Sequence, residues 1–512
     1  MHNTKRIGYN ALMMYGRMLL VMILSLYTVR VLLNVVGIED YGIFDVIAGL
    51  VSMLAMVNST METATQRYYS VSLGVNQNGD VKRIFNLSLT IYVLISVVVL
   101  ILGETLGLWF VNSYLQIPSD RILAANVIYQ FSIASVIIAM LTVPFSAMVI
   151  AHGDIGLYSI LSIAETVLKL LIVYLVSIFN TDKLIVYGAL VFGVGLSKFF
   201  MYLYFARFKY RECRFMYYWD SKLFASMLSF SGWTLFGAAA GVANNQGNNV
   251  LINIFFGPIA NAARGIAFQV SNAISSFSAN LFVVMRPPII KSYAEEDYQY
   301  TMHLFYLSSK LSYFLMLLIF VPLFLETNYV LTLWLGHATE QMVLFTRLML
   351  VYTVILSQHN PITTIVQATG RVKIYFSVVE SVTLLSLPLT YVFFKLGFPA
   401  HVTLYISICV FLFAHFLRLY ILKKVIVFSM REYCIKFIIP VLLVSLSSIS
   451  LPLLVHYYYA PNLLRVVYVT IVVFLSIGLS IYLVGINKYE RSKLHEIVNK
   501  VRMLYFKKQE RV

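Results

Sequence analysis

Apolar runs of about 20 residues recur from one end of this chain to the other. That recurrence leaves few folds open. A run of this length crosses the hydrocarbon core of a bilayer as a helix, and lipid offers no partner to an unpaired backbone N–H or C=O. The runs are uniformly apolar rather than alternating, which favours helices over a barrel. Composition agrees. Of 512 residues, 60% are hydrophobic and only 12% charged, far more apolar than a soluble core requires. The expected fold is an all-α integral membrane protein. The runs fall at residues 10–36, 42–63, 84–107, 123–150, 157–179, 184–206, 223–256, 263–285, 304–325, 341–368, 374–396, 401–422, 433–456 and 464–486, about fourteen in all. The N-terminal MHNTKRIGYN is basic, but no small-residue cleavage site follows it, so the first run reads as a retained span.

Loop charge sets the orientation. With the N-terminus in the cytoplasm, Lys and Arg divide about 26 to 2 between the cytoplasmic segments and the opposite loops, where only Arg121 and Lys183 stand. Both termini are then cytoplasmic. This asymmetry accounts for most of the +16 net charge without nucleic acid as a partner. The tail after residue 487 places Leu494, Ile497, Val498, Val501, Leu504 and Tyr505 on one helical face among basic residues. It reads either as an interfacial helix on an anionic leaflet or as a solvated tail.

An internal echo divides the chain. LLNVVGIEDYG (Leu32–Gly42) ends the first span and LINIFFGPIAN (Leu251–Asn261) ends the seventh, with Gly37 and Gly257 220 residues apart. This is the pattern of two parallel six-helix repeats. The expected division is residues 1–206 and 223–422 for the two lobes, 207–222 for a cytoplasmic linker, 423–486 for two additional helices and 487–512 for a basic amphipathic tail. Lobes related by pseudo-two-fold symmetry imply a substrate cavity between them, open to alternate sides in turn.

The seventh span carries unusual chemistry. Within GVANNQGNNVLINIFFG, five primary amides occur among Asn244, Asn245, Gln246, Asn248 and Asn249. On a helix, Ser231, Thr234, Gly241, Asn244, Asn245, Asn248 and Asn249 share one arc, with Trp233, Phe236, Val250, Leu251 and Ile254 opposite. Such a face cannot meet lipid. It is either interhelical glue or a wet wall that recognises hydroxyl groups. Five amides favour the wall, with Asn244, Asn245, Asn248 and Asn249 as glycan-binding candidates. Gly247 is expected to loosen the helix locally.

The intramembrane charges are mostly cations. Arg17 and Arg30 lie in the first span and Arg264 opens the eighth; carboxylates within spans are fewer, among them Glu62 and Glu165. A guanidinium matches phosphate with a two-pronged fork, so a cationic interior suits an anionic substrate. Each arginine could instead form a structural pair. Lys198, Lys395 and Arg465 lie near span ends and are expected to snorkel, and Glu165 and Lys169 can pair at i,i+4. The three cysteines show no zinc or disulfide spacing, and the chain has no phosphate loop and no nucleophile triad. No cofactor, metal or enzymatic activity is expected.

VVGIEDYGIF (Val35–Phe44), the block from Leu251 to Phe282 and PPIIKSYA (Pro287–Ala294) resemble the polysaccharide-transporter branch of the MATE-like flippase superfamily, specifically the Wzx-type O-antigen flippases. The resemblance spans the whole chain. It implies flipping of undecaprenyl-diphosphate-linked oligosaccharide across the bacterial inner membrane for surface polysaccharide assembly, with membrane lipids, a glycan polymerase and other assembly proteins as partners. In related flippases arginines on the first, second and eighth helices matter; Arg17, Arg30, Arg67 and Arg264 occupy similar places here. Glu62 and Glu165 are the carboxylates available for ion coupling. Two departures bear on that coupling. Relatives often have Asn-Pro-Gln where this chain has Arg-Pro-Pro (Arg286–Pro288), and many carry an Asp in the seventh span where this chain has only amides. The rival readings are a cation-coupled multidrug exporter of the same superfamily and a non-transporting scaffold for glycan-assembly enzymes.

Overall fold

The computed structural model describes residues 2–36, 38–75, 78–114, 119–179, 181–336, 338–487 and 490–492. Gly37, the side chain of Arg30 and the tail face from Leu494 to Tyr505 lie outside the described residues. The chain is all-helical. Two long helices open it, α1 (His2–Val36) and α2 (Ile38–Gly74). Among the described residues, twelve further helices are long and apolar enough to cross a membrane. They are α3 (Asp80–Ser113), α4 (Ile122–Ala151), α5 (Ile155–Val176), α6 (Lys183–Lys209), α7 (Ser221–Gly257), α8 (Ala263–Ala294), α9 (Tyr298–Leu325), α10 (Glu340–Thr369), α11 (Val372–Lys395), α12 (Val402–Val425), α13 (Met430–Tyr458) and α14 (Leu463–Gly485). Each overlaps one of the twelve later apolar runs of the sequence. Helix α7 runs into α8 across Gly257, whose φ of 75° and ψ of −171° break the helix. Only glycine takes that backbone conformation without strain.

Two compact units divide the helices. The first holds Gly8–Ala238 and Arg286–Tyr298; the second holds Met1–Ile7, Ala239–Met285 and the chain from Gln299 onward. In the first unit α4 packs against α2, α3, α5 and α6. It buries Ile128, Tyr129, Ile133, Met140 and Phe145. Being apolar all round, α4 can only be central. Helix α2 ends tightly against the end of α8. A Cβ on Gly74 would stand 2.8 Å from the Lys291 carbonyl oxygen and 3.0 Å from the Ala294 Cβ. Gly74→Ala should therefore cost about 1–3 kcal/mol through forced backbone displacement. A lowered thermal midpoint in detergent checks this, and an unchanged midpoint would show that the two helices separate freely.

In the second unit α12 packs on α10 and α11, and α13 and α14 form a hairpin. The outer surface of this hairpin is apolar, with Leu446, Leu475 and Leu479 exposed, as lipid contact requires. Two buried ion pairs tie it in. Arg465 does not snorkel: it is buried and its Nη2 donates to Glu326 Oε2 at 2.6 Å. Lys310 of α9 is buried against Glu490, beyond the last span, at 2.5 Å. Lys198 does not snorkel either. Its ammonium meets Glu165 at 2.9 Å, because desolvation near a span centre makes a carboxylate a better partner than distant water.

Candidate functional site

The first unit assembles a polar interior from six helices. Arg17 sits on α1, where its Nη1 donates to Ser162 Oγ of α5 at 2.8 Å. Its guanidinium lies 5.3 Å from the centroid of the Tyr158 ring. One turn along α5, Glu165 accepts from Lys169 Nζ at 2.8 Å, and its other oxygen meets Lys198 of α6. Helix α2 contributes Glu62, whose Oε1 accepts from Ser146 Oγ of α4 at 2.9 Å. Beside it, Thr63 Oγ1 accepts from Arg286 Nη1 at 3.3 Å. Tyr158 lies within electrostatic reach of Glu62, Arg17, Lys198 and Glu165, which makes these side chains one cluster. Lys169 is exposed, but Arg17, Lys198 and Arg286 still outnumber Glu62 and Glu165 in this interior.

The two carboxylates differ. Glu165 is clamped between two ammonium groups, a poor setting for a second cation. Glu62 has a hydroxyl partner and no ion-pair partner within 4 Å among the described residues. Arg67, one turn along α2 from Thr63, lies 5.0 Å from the centroid of the Tyr68 ring and 5.1 Å from that of the Phe230 ring. The two rings meet edge to face at 78°, and the guanidinium lies within cation–π distance of both.

In the second unit the seventh span splits its amides between two tasks. Val250 and Ile254 face outward and Asn244 and Asn248 inward, as the helical arc predicts. Asn244 Nδ2 donates to the Thr383 carbonyl and to Ser386 Oγ, both at 2.7 Å, on α11. Asn248 Nδ2 donates to Asn244 Oδ1 at 2.9 Å, and its Oδ1 accepts from Thr403 of α12 at 3.0 Å. These two amides act as interhelical glue, bonded to α11, to α12 and to each other. Gly247 remains helical. Its missing side chain admits Leu387, which would lie 2.7 Å from a Cβ, so close packing explains this glycine better than local loosening.

The other two amides hold Arg264. Its Nη2 donates to Asn245 Oδ1 at 2.7 Å and to the Asn245 carbonyl at 3.0 Å, and its Nη1 to Asn249 Oδ1 at 3.3 Å. Phe268 lies under the guanidinium at 6.0 Å. Arg264 is 6% exposed. No carboxylate pairs with it among the described residues, and its Nε has no hydrogen-bond partner. Burying a guanidinium without an anion is costly. Oriented neutral oxygens that hold it in place without discharging it are what an anion-binding group needs.

The structure thus brings Arg17, Glu62 and Glu165 into one unit's interior, and Asn245 and Asn249 onto Arg264. It sets Arg67 against the rings of Tyr68 and Phe230. Tyr158, Ser162, Ser146, Lys198 and Arg286 complete the first cluster and are absent from the sequence-based candidates. One signal was available for α5. Tyr158, Ser162, Glu165 and Lys169 recur every three to four residues as a polar stripe. Arg286 had no such signal, since its partner Thr63 is 223 residues away in sequence.

No protein-family model matches the sequence, and no curated protein matches it. Solved structures match the fold. A multidrug resistance MATE family transporter of the MOP superfamily, in an outward-facing conformation, superposes with a TM-score of 0.70 at 11% identity, covering 82% of this chain and 95% of that one. A MOP superfamily transporter from Pyrococcus furiosus gives 0.68 at 10% identity, covering 82% and 96%. The MATE transporter ClbM in complex with Rb+ gives 0.65 at 15% identity, covering 83% and 95%. The chain has a MATE-like transporter fold and is a multi-pass membrane protein.

Proposed function

We propose that the protein flips undecaprenyl-diphosphate-linked oligosaccharide from the cytoplasmic to the outer leaflet of the bacterial inner membrane, by alternating access, for surface polysaccharide assembly. Both termini are cytoplasmic in this reading, as the loop charges favour. The observation that supports it is Arg264: a buried guanidinium held by two asparagines, with no carboxylate paired to it among the described residues. A substrate diphosphate supplies the missing charge. Arg17, in the interior of the first unit, is a further anion-binding candidate, and Arg30 and Arg67 are retained as candidates on the strength of the family resemblance. The amides of Asn245 and Asn249 orient Arg264 and keep free lone pairs for glycan hydroxyls. Asn244 and Asn248 hold α7 against α11 and α12. Glu62 is the carboxylate placed to exchange a proton or a sodium ion.

Moving about two negative charges outward gains roughly 2.3 kcal/mol per charge per 100 mV of inside-negative potential. The potential therefore contributes to turnover without a nucleotide site. The glycan polymerase and other assembly proteins are the proposed partners.

The multidrug exporter reading draws on the names of the matched structures. It calls for acidic groups facing an organic cation, whereas α1 carries Arg17 and Arg30 and no carboxylate. For the Pyrococcus furiosus transporter, too, a reversed polarity of the binding pocket has been taken to suggest a different function. The scaffold reading expects cavity substitutions to leave export intact. The test is a strain lacking the protein, in which lipid-linked oligosaccharides are extracted and assigned to a leaflet. Completed intermediates should accumulate on the cytoplasmic side, and an Arg17→Ala copy should fail to relieve them. A normal leaflet distribution with new sensitivity to organic cations would instead establish the exporter.

A further inference from the structure

Residues 207–222, expected from the sequence to be only a linker, form a shaped surface. The segment from Arg214 to Asp220 is non-helical, with Tyr218 and Asp220 half-buried between and after exposed residues. One face is fastened to the first unit. Asn86 of α3 holds the backbone twice, donating to the Arg214 carbonyl at 3.2 Å and accepting the Met216 N–H at 2.7 Å. Just before it, Cys213 is buried and Tyr210 donates to Asp154 at 2.5 Å. At the far end Asp220 caps α7, accepting from the backbone N–H groups of Lys222 and Leu223 at 2.9 and 3.0 Å. Those two bonds, Leu223's foremost, hold its carboxyl below the usual carboxylate range.

The opposite face is Phe215, Tyr217 and Trp219, at 75%, 82% and 46% exposure. Arg211, Arg214 and Lys222 are exposed around them. Three large rings turned outward at every second residue are unfavourable in water. The fastened backbone prevents them from folding inward. The connection joins the ends of two adjacent spans, α6 and α7, so it lies at the level of the lipid headgroups. Aromatic rings with polar edges are favoured at that depth, and arginines beside them are attracted to anionic headgroups.

We infer that residues 211–222 are a lipid-docking surface that takes anionic phospholipid headgroups. The rings of Phe215, Tyr217 and Trp219 enter the interfacial layer, while Arg211, Arg214 and Lys222 contact phosphates. The consequence is a fixed point: the connection between the two six-helix blocks is held to one leaflet. This inference does not depend on the identity of the transported substrate.

The test uses the full-length protein with Trp109, Trp233 and Trp334 replaced by phenylalanine, which leaves Trp219 as the single reporter of the four tryptophans. The protein is placed in vesicles of phosphatidylcholine alone or with phosphatidylglycerol. The expected result with phosphatidylglycerol is a blue-shifted Trp219 emission, quenching by headgroup-proximal spin-labelled lipid, and loss of quenching by aqueous iodide. Adding Phe215→Ser and Tyr217→Ser should reverse all three. Trp219 open to iodide and insensitive to labelled lipid in both compositions would overturn the inference. If the triple-phenylalanine background does not fold, a spin label at Tyr217→Cys, with Cys409 and Cys434 replaced by serine, reads the same contact. Its accessibility should shift from a water-soluble relaxant to oxygen when phosphatidylglycerol is present, and an unchanged accessibility would equally overturn the inference.

Discussion

Arg264→Gln should abolish glycan export and leave the protein at least as stable as the parent. The two effects run in opposite directions for one reason. Arg264 is buried, with oxygen acceptors from Asn245 and Asn249 but no counter-charge among the described residues. A guanidinium so placed is a net cost to folding, since desolvation is not offset by an anion. Glutamine keeps an N–H donor for the two asparagines and removes the charge. Stability should therefore hold or rise. Transport should fall, because losing a charged hydrogen-bonding group from a buried contact costs about 2–5 kcal/mol. That corresponds to a loss of roughly 30-fold to more than 1,000-fold in the affected step. Arg264→Lys should recover the charge but only part of the rate, because a lysine ammonium is a point charge without the planar fork. The measurements are thermal midpoint and surface glycan in the same cells. A variant that loses stability and export together would show that Arg264 is structural and remove the main support for a diphosphate site.

The second large effect concerns the α13–α14 hairpin. Glu326 follows α9 and is fully buried. Its Oε2 accepts from Arg465 Nη2 at 2.6 Å and Nε at 3.1 Å, and its Oε1 meets His456 Nδ1 at 2.7 Å. Arg465 also donates to the Tyr459 carbonyl at 3.1 Å. This cluster fastens the connection between α13 and α14 to the end of α9. Glu326→Ala leaves a buried arginine without its anion, which should cost about 3–5 kcal/mol. That is a large part of an ordinary folding free energy. Glu326→Leu combined with Arg465→Met should regain most of the loss, since a well-packed apolar pair replaces a buried ion pair at little cost. Thermal midpoints of the three proteins in one detergent decide the matter. A double variant as unstable as the single one would place the hairpin's attachment in packing rather than in this pair.

Legibility in the sequence differed by level. Some membrane helices were readable almost to their ends, as α11 (Val372–Lys395), expected at 374–396, and α14 (Leu463–Gly485), expected at 464–486, whereas α2 and α8 run on to Gly74 and Ala294, past expected ends at 63 and 285. The outward and inward faces of α7 were readable too, since Ile254 and Asn248 lie on the sides that a helical projection assigns. What that face does was not. Asn244 and Asn245 are neighbours on one arc, yet Asn244 binds α11 and Asn245 binds Arg264. The charged residues divided in the same way. Glu165 with Lys169 was legible, because both lie on one helix four residues apart. Arg465 and Lys198 were misjudged as snorkelling because their acidic partners stand on other helices, Glu326 at a separation of 139 residues.

By itself, then, the sequence determined that the chain is a bundle of membrane-spanning helices, with an interior richer in cations than in carboxylates. It could do so because hydropathy and helical periodicity are local properties, summed over a turn or a span. Tertiary structure alone decided which cation keeps a counter-ion and which does not. Arg465 and Lys198 are paired with carboxylates and Arg264 has none among the described residues, an outcome set by the rotation of each helix about its axis and by neighbours 15 to 139 residues distant in sequence. No local pattern encodes that choice, and the functional reading rests on it.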